Sequence, residues 1–161
     1  MGFTPTDIGE YIHPVIALGA AGTGTTAGTA VNGLVVDRFA LPNWYNSVQL
    51  TVPFNYVLAA GGTINLNAHL QDSAVASSSS TSWADFGSTV QGAGSGGVTA
   101  SSTASATSQS AFYRNVNLTT ARRYVRARIT PQRVEATAGS SADALNYHAV
   151  MVFGGAISYP A

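Results

Sequence analysis

The chain contains no cysteine and no lysine. The first absence excludes disulfides, thiolate zinc sites, iron–sulfur clusters and thiol nucleophiles. The second excludes a P-loop, whose lysine reaches the nucleotide phosphates, and Schiff-base chemistry, which needs an amine. Charge of either sign is scarce: 9% of residues are Asp, Glu, Lys or Arg, against about 25% in an ordinary globular domain. Seven Arg balance seven acids, so the formal net charge is zero. A free-standing soluble protein keeps its surface charged and its net charge away from zero. This chain does neither, which points to a surface that faces other protein subunits. Neutrality also argues against nucleic acid as a partner. No apolar run approaches the roughly 20 residues of a membrane helix. The stretch Met1–Glu10 lacks the cationic start and apolar core of a secretory signal. No membrane partner is expected.

What is present is small and polar. Ala, Gly, Ser and Thr make up 77 of the 161 residues. The length suits one domain, large enough to build a core without metals or cross-links. Helical periodicity is nearly absent, and period-two alternation recurs between turn residues. In Gly62–Gln71, Ile64, Leu66, Ala68 and Leu70 point one way, and Asn65, Asn67, His69 and Gln71 the other. Such a strand belongs to an antiparallel sheet with one wet face. Asn46–Phe54 reads as its partner across a turn at Ala59–Thr63, with Pro53 at a strand end or edge. Further strands are expected at Val31–Phe39, Trp83–Val90, Ser110–Leu118, Tyr124–Thr130 and Leu145–Phe153. The last is apolar on both faces towards its end, as a central or doubly covered strand is.

Residues 73–82 and 91–109 are Ser-, Gly-, Thr- and Ala-rich and read as long loops, or as flat strands ordered by a neighbour. Gly19–Thr29 holds no side chain larger than Thr. The expected architecture is all-β: an antiparallel β-sandwich or jelly roll over residues 31–161, preceded by an extended N-terminal arm over residues 1–30.

Candidate chemistry is thin. Gly22, Gly24 and Ala27 form a G-x-G-x-x-A stretch after an apolar run. Only a few residues separate it from Val31, whereas a parallel crossover needs a dozen or more, so a dinucleotide site is not expected. His13, His69 and His148 have no partner at metal-ligand spacing. His69 and His148 occupy analogous polar places, as solvent-facing or interface hydrogen-bonding groups or, on one outer sheet face, as a pair across strands. Asp72 and Asp85 flank one loop and are placed to come close, either as an acid pair or as turn formers. Gly-x-Ser-x-Gly does not occur. No enzyme, cofactor or metal is expected.

The Arg distribution is uneven. Residues 114–133 hold Arg114, Arg122, Arg123, Arg126, Arg128 and Arg133 and no acid, while the rest of the chain carries all seven acids and Arg38. Arg126 and Arg128 share a strand face with Tyr124. Arg pairs bidentately and is weakly hydrated, which suits interfaces. These six Arg and Tyr124 are the expected protein interface, docking an acidic surface or pairing with the chain's own acids or a sister subunit's.

Ser47-Val-Gln-Leu-Thr-Val-Pro-Phe54, the run from Leu58 to Ser73, and Trp83-Ala-Asp-Phe-Gly87 resemble the middle of small β-sandwich virion proteins of tailed bacteriophages. Leu118–Pro131 and Ala149–Ala156 resemble the later strands of the same proteins. These are head decoration, or cement, proteins. The resemblance covers about residues 31–156. It implies a capsid decoration protein made in the host cytoplasm and sited on the capsid surface of the virion. Its implied partners are the major capsid protein and copies of itself, as a homotrimer or dimer. A different reading is a carbohydrate- or receptor-binding β-sandwich module of a phage tail or neck. Trp44, Tyr45, Phe54, Tyr56, Phe112 and Tyr113 would then supply a stacking platform.

Overall fold

The computed structural model describes residues 12–23, 28–76, 79–91, 98–101, 106–134 and 144–157. These form strands β1 (Ile12–Thr23), β2 (Val31–Asn32), β3 (Val36–Asp37), β4 (Trp44–Leu58) and β5 (Thr63–Ser73). Then come β6 (Ala84–Gln91), β7 (Val98–Ser101), β8 (Ala106–Asn117), β9 (Tyr124–Val134) and β10 (Ala144–Ile157). Every ladder is antiparallel. One sheet has four strands in the order β1-β10-β4-β8. The other has the order β2-β9-β5-β6, with β3 also on β9 and β7 also on β5.

β2 and β3 run along one edge of β9 as two pieces of one strand, and β6 and β7 share one edge of β5. Counting each pair as a single strand leaves a long hairpin rolled on itself, in which first pairs with last and each inner strand with its mirror partner. That is a jelly roll, and of the two expected forms of the all-β sandwich it is the one present.

Alternation decides which side chains meet between the sheets. Val48, Leu50, Val52 and Phe54 of β4 face inward, with Leu145, Tyr147, Ala149, Met151 and Phe153 of β10. Ile64, Leu66, Ala68 and Leu70 of β5 meet them from the other sheet, with Val125, Ala127 and Ile129 of β9. Each large side chain so buried contributes about 1.5–3 kcal/mol.

Four expectations change. Asn46–Phe54 and Gly62–Gln71, expected to pair across the turn at Ala59–Thr63, fall in β4 and β5 of opposite sheets, so that turn carries the chain from one sheet to the other. Residues 12–23 of the arm segment form an edge strand on β10, with Ala17 fully buried; residues 1–11 and 24–27 lie outside the described residues. This strand was hidden because residues 14–18 are apolar at successive positions rather than alternating, and residues 19–23 have only small side chains. Pro53 sits inside β4, a central strand, rather than at an end or edge. The β4–β10 register runs through Tyr147↔Phe54 and resumes at Val150↔Thr51, so the ladder skips where proline has no N–H to give. Val31–Phe39 is broken at Gly33–Val35 and ends in a 3-10 turn at Arg38–Ala40.

Two glycines close the edges of the sandwich. A Cβ on Gly33 would stand 2.1 Å from the Ala17 carbonyl oxygen, so only glycine lets β1 approach the β2–β3 link. Gly87 (φ +72°) lies where β6 bulges against β5, and a Cβ there would stand 2.9 Å from Val116 on β8.

Candidate functional site

The outer face of the larger sheet is built by outward residues of four strands. Register sets Gln71 beside Arg126, His69 beside Arg128, Asp85 beside Gln71 and Asn32 beside Arg128. Trp83, just ahead of β6, folds over this face. Arg126 is 3% exposed, with its guanidinium carbon 4.2 Å from the Trp83 ring centroid. Its Nε donates to Gln71 Oε1 at 3.0 Å, and Gln71 Nε2 donates to Asp85 Oδ1 at 2.8 Å. Asp85 Oδ2 lies 3.7 Å from His69 Nδ1. Burial, and then the charge of Arg128, lower the pKa of the Arg126 guanidinium. Ala30, Asn32, Gln71, Trp83, Asp85, Arg126 and Arg128 line a hollow of about 320 Å³.

The other expected interface residues scatter from this centre. Arg122 holds the buried Asp72: its backbone N–H donates to Oδ2 at 2.8 Å and its Nε lies 3.4 Å from Oδ1. Arg123 grips Asp37 with contacts of 2.7–3.2 Å. It also lies over Phe39 and Tyr124, at 5.3 and 5.1 Å. The Arg123 hydrogen bonds hold Asp37 below the ordinary carboxylate pKa and raise Arg123. Arg114 stands exposed on β8 in the other sheet, in register with Leu50. The Arg133 side chain lies outside the described residues. Arg38, outside the basic window, is buried and donates to the carbonyls of Ala121 and Arg122 at 2.6 and 3.2 Å. Burial lowers its pKa.

The acid and histidine pairs do not form. Asp72 shares the inward parity of Ile64–Leu70, whereas Asp85 faces outward beside Gln71. His69 lies on β5 and His148 on β10, in different sheets. Among the described residues no three His, Asp or Glu gather to hold a metal. The aromatic platform is dispersed too. Tyr45 and Phe54 are core, Tyr56 and Phe112 pack against it, and Trp44 lies under Arg38 at 5.2 Å. Tyr113 alone of the six is well exposed, at 68%.

The chain matches no known protein family and no curated protein. No helix among the described residues is long and apolar enough to cross a membrane.

The smaller sheet presents a contrasting outer face. Ile12, Pro14 and Ile16 of β1 stand in register with Gly154, Val152 and Val150 of β10. Val152 and Val150 in turn face Gln49 and Thr51 of β4, which face Asn115 and Tyr113 of β8. Among the described residues this outer face holds no Arg, Asp or Glu. Ile16 is 62% exposed and Ile12 41%.

Proposed function

We propose that the chain is a structural virion protein, a decoration or cement protein on the capsid of a tailed phage, docked by the outer face of the four-stranded sheet. The observation that carries this reading is the part of that face formed by Ile12, Pro14 and Ile16 of β1 with Val150 and Val152 of β10: it is apolar, and among the described residues the whole face holds no Arg, Asp or Glu, its polar side chains being neutral amides and hydroxyls and His148. The buried core of an interface is more apolar than the rest of the surface and depleted in charged residues. Val150 and Val152 make β10 apolar on both sides towards its end, beyond the outward Asn146 and His148, and only its inner side meets the core. The jelly roll is a fold used by capsid proteins, which adds an analogy and no more. In this reading the partner is the major capsid protein, copies of the chain group as dimers or trimers, and no cofactor or nucleic acid takes part.

The test is occupancy on purified particles, read by electron microscopy or by co-sedimentation with empty shells. Ile16→Asp and Tyr113→Asp place a charge on the exposed face and leave the core untouched. Each is expected to lower occupancy at least about tenfold, as loss of an interface anchor does. Wild-type occupancy by both variants, or no association of the wild-type chain with shells, would refute the reading.

A further inference from the structure

We propose that the hollow between Arg126, Arg128 and Asp85 on the larger sheet binds an acidic sugar residue, a ligand whose carboxylate is flanked by hydroxyl groups. The inference does not rest on docking to a shell, which concerns the opposite face.

The Arg126 guanidinium lies on the Trp83 ring and has no carboxylate partner among the described residues. Buried charges are paired, because an isolated ion loses far more in dehydration than packing returns. Arg126 is 97% buried, and its only hydrogen bond to a described residue is the one from Nε to the neutral Gln71 amide. Its terminal nitrogens, Nη1 and Nη2, have no such bond, and the side chain lines the hollow. The carboxylate on the rim is otherwise engaged: Asp85 accepts from Gln71 and lies beside His69. Arg128, two residues along β9, adds a second cation to the same hollow and makes no ion pair with a described residue. Burial, and then the like charge of Arg128, disfavour the protonated Arg126, and the charge of an anion between the two guanidinium groups would offset both. Two forked donors side by side suit the planar geometry of a carboxylate.

The remaining lining specifies what surrounds that carboxylate. A volume of about 320 Å³ is at the small end of ligand sites and holds a ring rather than a lone ion. Asn32 and Gln71 offer amides, and Asp85 an acceptor that would repel a second anionic group. Such a set of donors and acceptors matches the hydroxyls of a sugar. Trp83 is already covered by Arg126, so the ligand is held by its polar edge and not by ring stacking.

The experiment titrates the full chain with glucuronate, glucose, inorganic phosphate and a glutamate-rich peptide, followed by Trp fluorescence and calorimetry. Glucuronate is expected to bind at least about tenfold more tightly than each of the other three, the discrimination of one charge-assisted hydrogen bond. Arg128→Gln, at a half-buried position with no partner among the described residues, is expected to weaken glucuronate about tenfold or more at unchanged melting temperature. Ile16→Asp, on the other sheet, should bind as wild type does. Equal binding of glucose overturns the role of the carboxylate. Equal or tighter binding of phosphate or peptide overturns the sugar and leaves a general anion site or a protein contact. No binding of glucuronate, or undiminished binding by Arg128→Gln, overturns the site.

Discussion

The amide of Leu34 donates to the carbonyl of Ala17 at 2.7 Å. Ala17 belongs to the edge of one sheet, and Leu34 to the link between two strands at the edge of the other. The neighbouring amide, Gly33, donates to Ala127 on β9 at 2.7 Å. Two successive residues therefore bond opposite sheets, and the sandwich is closed along this side by backbone. This also protects a strand edge that would otherwise be open to foreign pairing.

Gly33→Ala tests that closure. The added Cβ would stand 2.1 Å from a backbone oxygen, which no side-chain rotation relieves. Overpacking of this kind costs about 1–3 kcal/mol, and each kcal/mol lowers the melting temperature of a domain this size by about 2–4 °C. A fall of about 5 °C or more is expected in thermal unfolding. Gly154→Ala is the control, since its Cβ would meet only Ser47 Oγ at an ordinary 3.6 Å. Equal melting of the two variants would show that β1 does not approach so closely.

Parity along a strand was legible in the sequence. It placed Ile64–Leu70 and Val125–Ile129 in the core and sent Arg126 and Arg128 outward, as the structure has them. The same parity was available for Asp72, which is in step with Leu70 and so turned inward, away from Asp85. What parity cannot give is which sheet a strand joins. His69 and His148 look equivalent one strand at a time and lie on opposite faces of the molecule. Nor does it show that Trp83, from before another strand, covers an outward Arg. The candidate site thus arises from non-local contacts, Asn32, Gln71 and Trp83 being ordinary residues until β2, β5 and β6 flank β9.

Arg126→Met separates fold from ligand. A buried cation without a carboxylate partner is replaced by an apolar side chain of similar length at little cost, or with gain. The change leaves Gln71 Oε1 without its donor, which offsets part of that gain. Stability in urea is expected to stay within about 1.5 kcal/mol of wild type, while glucuronate binding is lost. Arg126→Ala uncovers Trp83 as well and should be the less stable of the two. If Arg126→Met falls more than about 3 kcal/mol, the guanidinium is a structural keystone rather than a site kept for a ligand.

Tyr147 is fully buried, and its hydroxyl has no hydrogen-bond partner among the described residues. Burial pushes its phenol pKa up. Removing an unsatisfied buried hydroxyl returns about 1 kcal/mol, so Tyr147→Phe should unfold at higher urea at pH 7. The raised pKa adds a second signature. A neutral phenol favoured by folding contributes fully below the unfolded value near 10 and is lost as pH rises beyond it. The advantage of the Phe variant should therefore widen above pH 10. A variant less stable than wild type at pH 7 would mean that the hydroxyl is bonded.

Asp37 gives the opposite dependence. Its carboxylate caps the 3-10 turn by accepting from the Phe39 amide at 3.0 Å, and it holds Arg123 at 2.7 Å. The Arg123 bonds set its pKa below 3.8 in the folded chain. A depressed carboxylate stabilises above its unfolded pKa, and that contribution drains away as pH falls through the lower folded value. Asp37→Asn should therefore melt below wild type at pH 7, and the gap should close as pH falls below about 4. Both groups reach solvent, with side chains 24% and 47% exposed, so salt should narrow the gap at pH 7 as well. A gap that persists unchanged at pH 2 and in molar salt would assign the effect to the capped turn, whose bond to Phe39 an amide oxygen can replace only in part.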